Sequence, residues 1–138
     1  MIRSILAVVA GLFAGMGVNM VLVLVNGMVL FPMPEGMDMN DPEQLNAYIA
    51  TLPTAGFVLV LLAHLGQSFF GGWAAARLGS SLPMVLAMIV GVISLALGII
   101  NMLPLDFPAW MYIELPLYIV VAWLAGRMEV QRRAAQGR

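Results

Sequence analysis

His64 and Glu114 are the only ionisable side chains inside four long apolar runs that occupy most of this 138-residue chain. A charged group in the middle of a bilayer costs roughly 2.5–3.5 kcal/mol on insertion scales, so each of the two needs a partner or water. An imidazole beside a carboxyl can share a proton and pass it on, and imidazole ordinarily titrates near neutral pH. The pair therefore reads as a proton- or cation-responsive site. The plainer reading is a polar clamp between helices. That is a modest use for such costly groups, since measured interhelical hydrogen bonds average about 0.6 kcal/mol.

Helical spacing gathers further polar or small residues on one face of each run: Gly11, Gly15, Asn19 and Asn26; His64, Gln67 or Ser68, and Gly71; Gly91, Ser94, Gly98 and Asn101; Glu114 and Tyr118. Such faces must meet protein or water, because an unpaired polar group in hydrocarbon costs several kcal/mol. The expected intramembrane site is thus His64, Glu114, Asn19, Asn26, Asn101, Gln67 and Tyr118. Pro116 lacks a backbone donor, which should free the Tyr112 carbonyl beside Glu114 and kink the helix there. Gly11, Gly15, Gly72, Gly91 and Gly98 are read as packing positions, where small residues let helix backbones approach closely.

No catalytic residue is expected, since the spans hold no paired carboxylates, nucleophile or metal cluster, and the chain has no Cys. No cofactor or metal is expected either. The thioethers of Met33, Met37 and Met39 are soft ligands suited to Cu(I), but with 12 methionines in the chain, chance clustering is the better account. A nucleic-acid partner would need a larger basic surface than the tail after Met128 provides.

The elements that must position these residues follow from hydropathy. With 62% hydrophobic and 9% charged residues and a mean hydropathy of +0.99, a soluble domain is excluded. The spans are predicted at about 5–31, 53–76, 82–103 and 108–126, each near the roughly 20 residues a crossing helix needs. The first is too long for the 7–15-residue apolar core of a secretory signal. The expected architecture is an all-α membrane protein, one four-helix bundle spanning residues 1–138. Asp41, Pro42 and Glu43 mark the start of a short interfacial helix near 42–51 within the 32–52 loop, with Leu45, Tyr48 and Ile49 on its apolar face.

All six arginines, Arg3, Arg77, Arg127, Arg132, Arg133 and Arg138, fall at ends that four crossings place on one side. By the positive-inside rule both termini and the tail 127–138 are cytoplasmic, while the opposite loops carry Glu35, Asp38, Asp41, Glu43 and Asp106. A bacterial inner membrane is the expected location. So one-sided a charge pattern predicts parallel protomers in any homo-oligomer. A tandem repeat of two hairpins is also suggested. Sliding the second run onto the fourth superposes Trp73, Ala75 and Arg77 on Trp123, Ala125 and Arg127, and His64 on Glu114; the first run onto the third superposes Asn26 on Asn101. These features point to a transporter- or channel-like protein for a small solute or ion. The alternative is an accessory or scaffold subunit of a membrane complex.

Overall fold

The computed structural model describes residues 2–137, so Arg138, one of the six orienting arginines, lies outside the described residues. Five α-helices form, and among the described residues there is no strand: α1 (Ile2–Val25), α2 (Pro42–Ile49), α3 (Thr54–Leu78), α4 (Pro83–Met102) and α5 (Glu114–Ala135). A π-helical turn, Asn26–Leu30, extends α1, and a 3₁₀ segment, Ala109–Ile113, leads into α5. With these extensions four helices are long and apolar enough to cross a membrane: 2–30, 54–78, 83–102 and 109–135.

The fourth differs from expectation at its start. Pro116 does not kink a continuous helix. The chain instead winds as 3₁₀ up to Ile113, and α5 begins at Glu114, so the proline falls in a first turn where its missing donor costs little. At the far end α5 continues past Gly126 to Ala135, which keeps Glu129, Arg132 and Arg133 on helical spacing.

The central helix is α3, which packs against α1, α4 and α5. Its seam with α1 is made by glycines. A Cβ placed on Gly15 would lie 2.3 Å from the Gln67 carbonyl oxygen, and one on Gly11 would lie 2.5 Å from that of Gly71. The other predicted packing glycines also face helices: Gly72 meets Ala87, Gly91 meets Ala122, and Gly98 leaves the space filled by the Tyr118 ring. In the half of the bundle next to the α3–α4 turn, Ala75, Ala76, Ala87, Ala122 and Ala125 are fully buried, so the helices pack closely there.

At the other end α2 caps the bundle. Ile49 joins Leu52, Phe57, Met102 and Met111 in one apolar cluster, with Leu45 and Tyr48 packed against it. Polar ties hold α2 down: Tyr48 Oη donates to the Phe31 carbonyl (2.6 Å), Asn46 Nδ2 donates to the Pro104 carbonyl (3.0 Å), and Asn46 Oδ1 accepts from the Asp106 amide (2.8 Å). Asp41 is the N-cap, accepting from the Glu43 amide and from Gln44 Nε2.

The Gln44 side chain, then the Glu43 amide, hold the Asp41 carboxyl below its ordinary value of 3.8. Because the folded value is the lower one, the cap contributes fully above 3.8 and is lost as pH falls through the depressed value. Amide exchange across Pro42–Ile49, corrected for intrinsic rates, should therefore accelerate below about pH 4, and Asp41→Asn should flatten that response. Unchanged protection in acid would remove the capping argument.

Candidate functional site

Glu114 opens α5, in the first turn of the helix. His64 lies midway along α3. The packing of α3 on α5 brings them together: His64 Nδ1 is 3.0 Å from Oε2 and 3.2 Å from Oε1 of Glu114. One proton must lie in that contact, on Nδ1 when the carboxylate is ionised and on the carboxyl otherwise. Glu114 has 0% of its side chain exposed and His64 has 16%, so the acid is sealed from the surroundings while its partner is partly open to them. Tyr118, one turn further along α5, sits with its hydroxyl 3.5 Å from Glu114 Oε1 and its backbone carbonyl accepting from Ser68 Oγ at 2.8 Å.

The imidazole also lines a cavity of about 460 Å³ beneath α2. Its wall is largely apolar, from Met33, Leu45, Tyr48, Ile49, Leu52, Val60 and Phe107, with Asn26, Asn40 and Asn101 as the amide groups. Asn26 is 3% exposed, and its Nδ2 donates to the Gly56 carbonyl at 3.3 Å. Since a carbonyl can only accept, the amide orientation is settled, and Oδ1 is a buried acceptor without a partner among the described residues. The cavity thus presents Asn26 and the exposed edge of His64 in an apolar surround.

The seven residues expected to share one site fall in three places. His64, Glu114 and Tyr118 form the buried cluster. Asn26 lines the cavity with His64, while Asn101 is exposed on its wall. Asn19 and Gln67 form a separate pair between α1 and α3, with Asn19 Nδ2 donating to Gln67 Oε1 at 2.7 Å. Of the methionines, Met33 and Met39 line the cavity and Met37 a different groove, so the three thioethers do not converge. Among the described residues no three His, Cys, Asp or Glu side chains gather as a metal site.

One cluster was not read from sequence. Glu129 is fully buried beneath the arginine-rich end, where it accepts from Arg132 and from Arg133 Nε (2.9 Å). Arg133 in turn donates to the Ala76 and Gly79 carbonyls at 2.6 and 2.8 Å, capping the end of α3 that its own helix leaves unpaired. The spacing of Glu129 to Arg132 and Arg133, three and four residues on, was the available signal.

No protein-family model, curated protein or solved structure matches this chain. Its class rests on fold and site: a multi-pass helical membrane protein with four candidate spans. Within that class it is distinguished by a histidine–carboxylate couple buried under an apolar cavity.

Proposed function

We propose that the protein is a transporter-like membrane protein that exchanges a small cationic solute for protons at the His64–Glu114 couple. The observation that carries this reading is the cavity of about 460 Å³ that ends on His64, with Glu114 fully buried behind it. When the carboxylate is ionised and Nδ1 carries the proton, His64 Nε2 is an acceptor on the cavity wall. An acceptor in an apolar wall, backed by a negative charge, suits a ligand with an apolar body and a positively charged hydrogen-bond donor. Protonation of the couple cancels its charge and turns Nε2 into a donor, so proton and solute compete for one site.

The closed half of the bundle, filled by Ala75, Ala76, Ala87, Ala122 and Ala125, fits one-sided access better than an open pore. By the arginine distribution the cavity faces outward, beneath the acidic loops, and both termini are cytoplasmic. A degenerate tandem repeat gains support from His64 touching Glu114 and Ser68 touching Tyr118, since equivalent residues meet at a twofold axis. Both Arg77 and Arg127 also stack on the tryptophan four residues earlier, at 5.9 and 5.1 Å. The same alanine-filled half also suits the second reading, a non-transporting accessory subunit, which needs no passage through the bundle.

Proteoliposomes holding a pH dye decide between them, with phenylguanidinium as probe: it stays protonated near neutral pH and joins N–H donors to an apolar ring. A Gly36→Cys variant, labelled with an impermeant thiol reagent, fixes which way the protein is inserted. Saturable proton counter-movement on adding the probe is expected. Traces identical to those of empty liposomes would leave the accessory reading in its place.

A further inference from the structure

The bundle has a second cavity, of about 580 Å³, at the opposite end from α2. It is lined by Arg3 at the start of α1, Arg77 at the end of α3, Arg132 and Arg133 near the end of α5, and Ser80 and Ser81 in the α3–α4 turn. Glu129 is the one carboxylate that contacts these arginines among the described residues; the chain's other acids lie in the loops at the α2 end or at Glu114. Four guanidinium groups against one carboxylate leave a strong positive excess in a concave site.

The four are not equally occupied. Arg133 is committed to Glu129 and to the α3 carbonyls, and Arg132 to Glu129 and Gln136. Arg3 uses only Nε, which donates to the Leu78 carbonyl at 3.3 Å. Arg77 stands 3.7 Å from Glu129 Oε2 with no hydrogen bond among the described residues. The terminal nitrogens of Arg3 and Arg77 are therefore free to donate. Guanidinium forks joined by serine hydroxyls complement the several oxygens of a phosphate group, which a single carboxylate cannot satisfy. Trp73 and Trp123, both partly exposed, lie near this end of the bundle, at the level where interfacial aromatic rings meet lipid headgroups.

We propose that this cavity binds a phosphate group, supplied by an anionic phospholipid headgroup or by a soluble phosphate, through Arg3 and Arg77 with Ser80 and Ser81. Arg127 is the internal control: it is exposed and basic, rests on the Trp123 ring and does not line the cavity.

Delipidated protein in detergent is to be tested by native mass spectrometry with phosphatidylglycerol and phosphatidylcholine, and by thermal unfolding with inorganic phosphate. Wild type and Arg127→Gln should retain phosphatidylglycerol in preference to phosphatidylcholine. Arg3→Gln with Arg77→Gln should lose that preference by roughly tenfold or more, as expected for losing charge-assisted hydrogen bonds. Arg3→Gln alone, at an exposed residue near the chain start, should show part of the loss with the helical circular dichroism unchanged. Stabilisation by inorganic phosphate in wild type but not in the double variant, without lipid preference, would assign the site to soluble phosphate. Equal loss in Arg127→Gln and the double variant, or no response to either probe, overturns the proposal.

Discussion

Replacing Gly15 with leucine should leave little folded protein in detergent, and even alanine should lower the thermal midpoint clearly. The reason is backbone against backbone. A Cβ at Gly15 would lie 2.3 Å from the Gln67 carbonyl oxygen and 3.2 Å from the Gly71 Cα, and neither belongs to a flexible side chain that could turn away. Relief requires α1 to move off α3, which would also strain the Asn19–Gln67 hydrogen bond one turn along. Overpacking of this kind costs about 1–3 kcal/mol even where neighbours yield, and a leucine here adds three further carbons. Val21 provides the contrast. It is 61% exposed on α1, and its replacement by leucine should change the midpoint little. Equal, small effects at both positions, measured by thermal unfolding in detergent, would remove the argument that the glycine seam holds α1.

The four spans were legible because uninterrupted hydropathy is a bulk property, insensitive to how each helix turns about its axis. The short helix was legible from local chemistry, since Asp41 and Pro42 satisfy a helix start without tertiary help. The pairing of His64 with Glu114 came from cost: two expensive groups at similar depth require each other. Helix rotation was not legible. Gln67 is three residues after His64, about 60° around the helix, yet that turn directs one to α1 and the other to α5. The same blindness joined Asn19 to the His64 cluster. Glu129, though set against Arg132 and Arg133 in the tail, was given no site role because arginines after a last span are explained by orientation alone, and only the fold shows Arg133 reaching the carbonyls of Ala76 and Gly79.

The largest functional effect should come from Glu114, and three variants separate its two possible uses. Glu114→Gln keeps an oxygen that can accept from His64 Nδ1, so helicity and thermal midpoint should stay near wild type, but an amide does not titrate. Proton movement with phenylguanidinium should then vanish. Glu114→Leu instead leaves the imidazole without its partner and Tyr118 Oη without its nearby acceptor, and an orphaned polar group costs roughly 1–3 kcal/mol, so the midpoint should fall as well. Removing both partners as His64→Leu with Glu114→Leu takes away the orphaned imidazole, and only the Tyr118 hydroxyl stays without its nearby acceptor. Stability should return towards wild type, because replacing a buried pair by apolar groups is often nearly neutral, while exchange stays absent. A clamp makes the opposite demand: Glu114→Gln, which preserves the hydrogen bond, would then preserve whatever the protein does. Undiminished, pH-dependent proton movement in Glu114→Gln would therefore show that the couple holds helices together and that protons pass elsewhere.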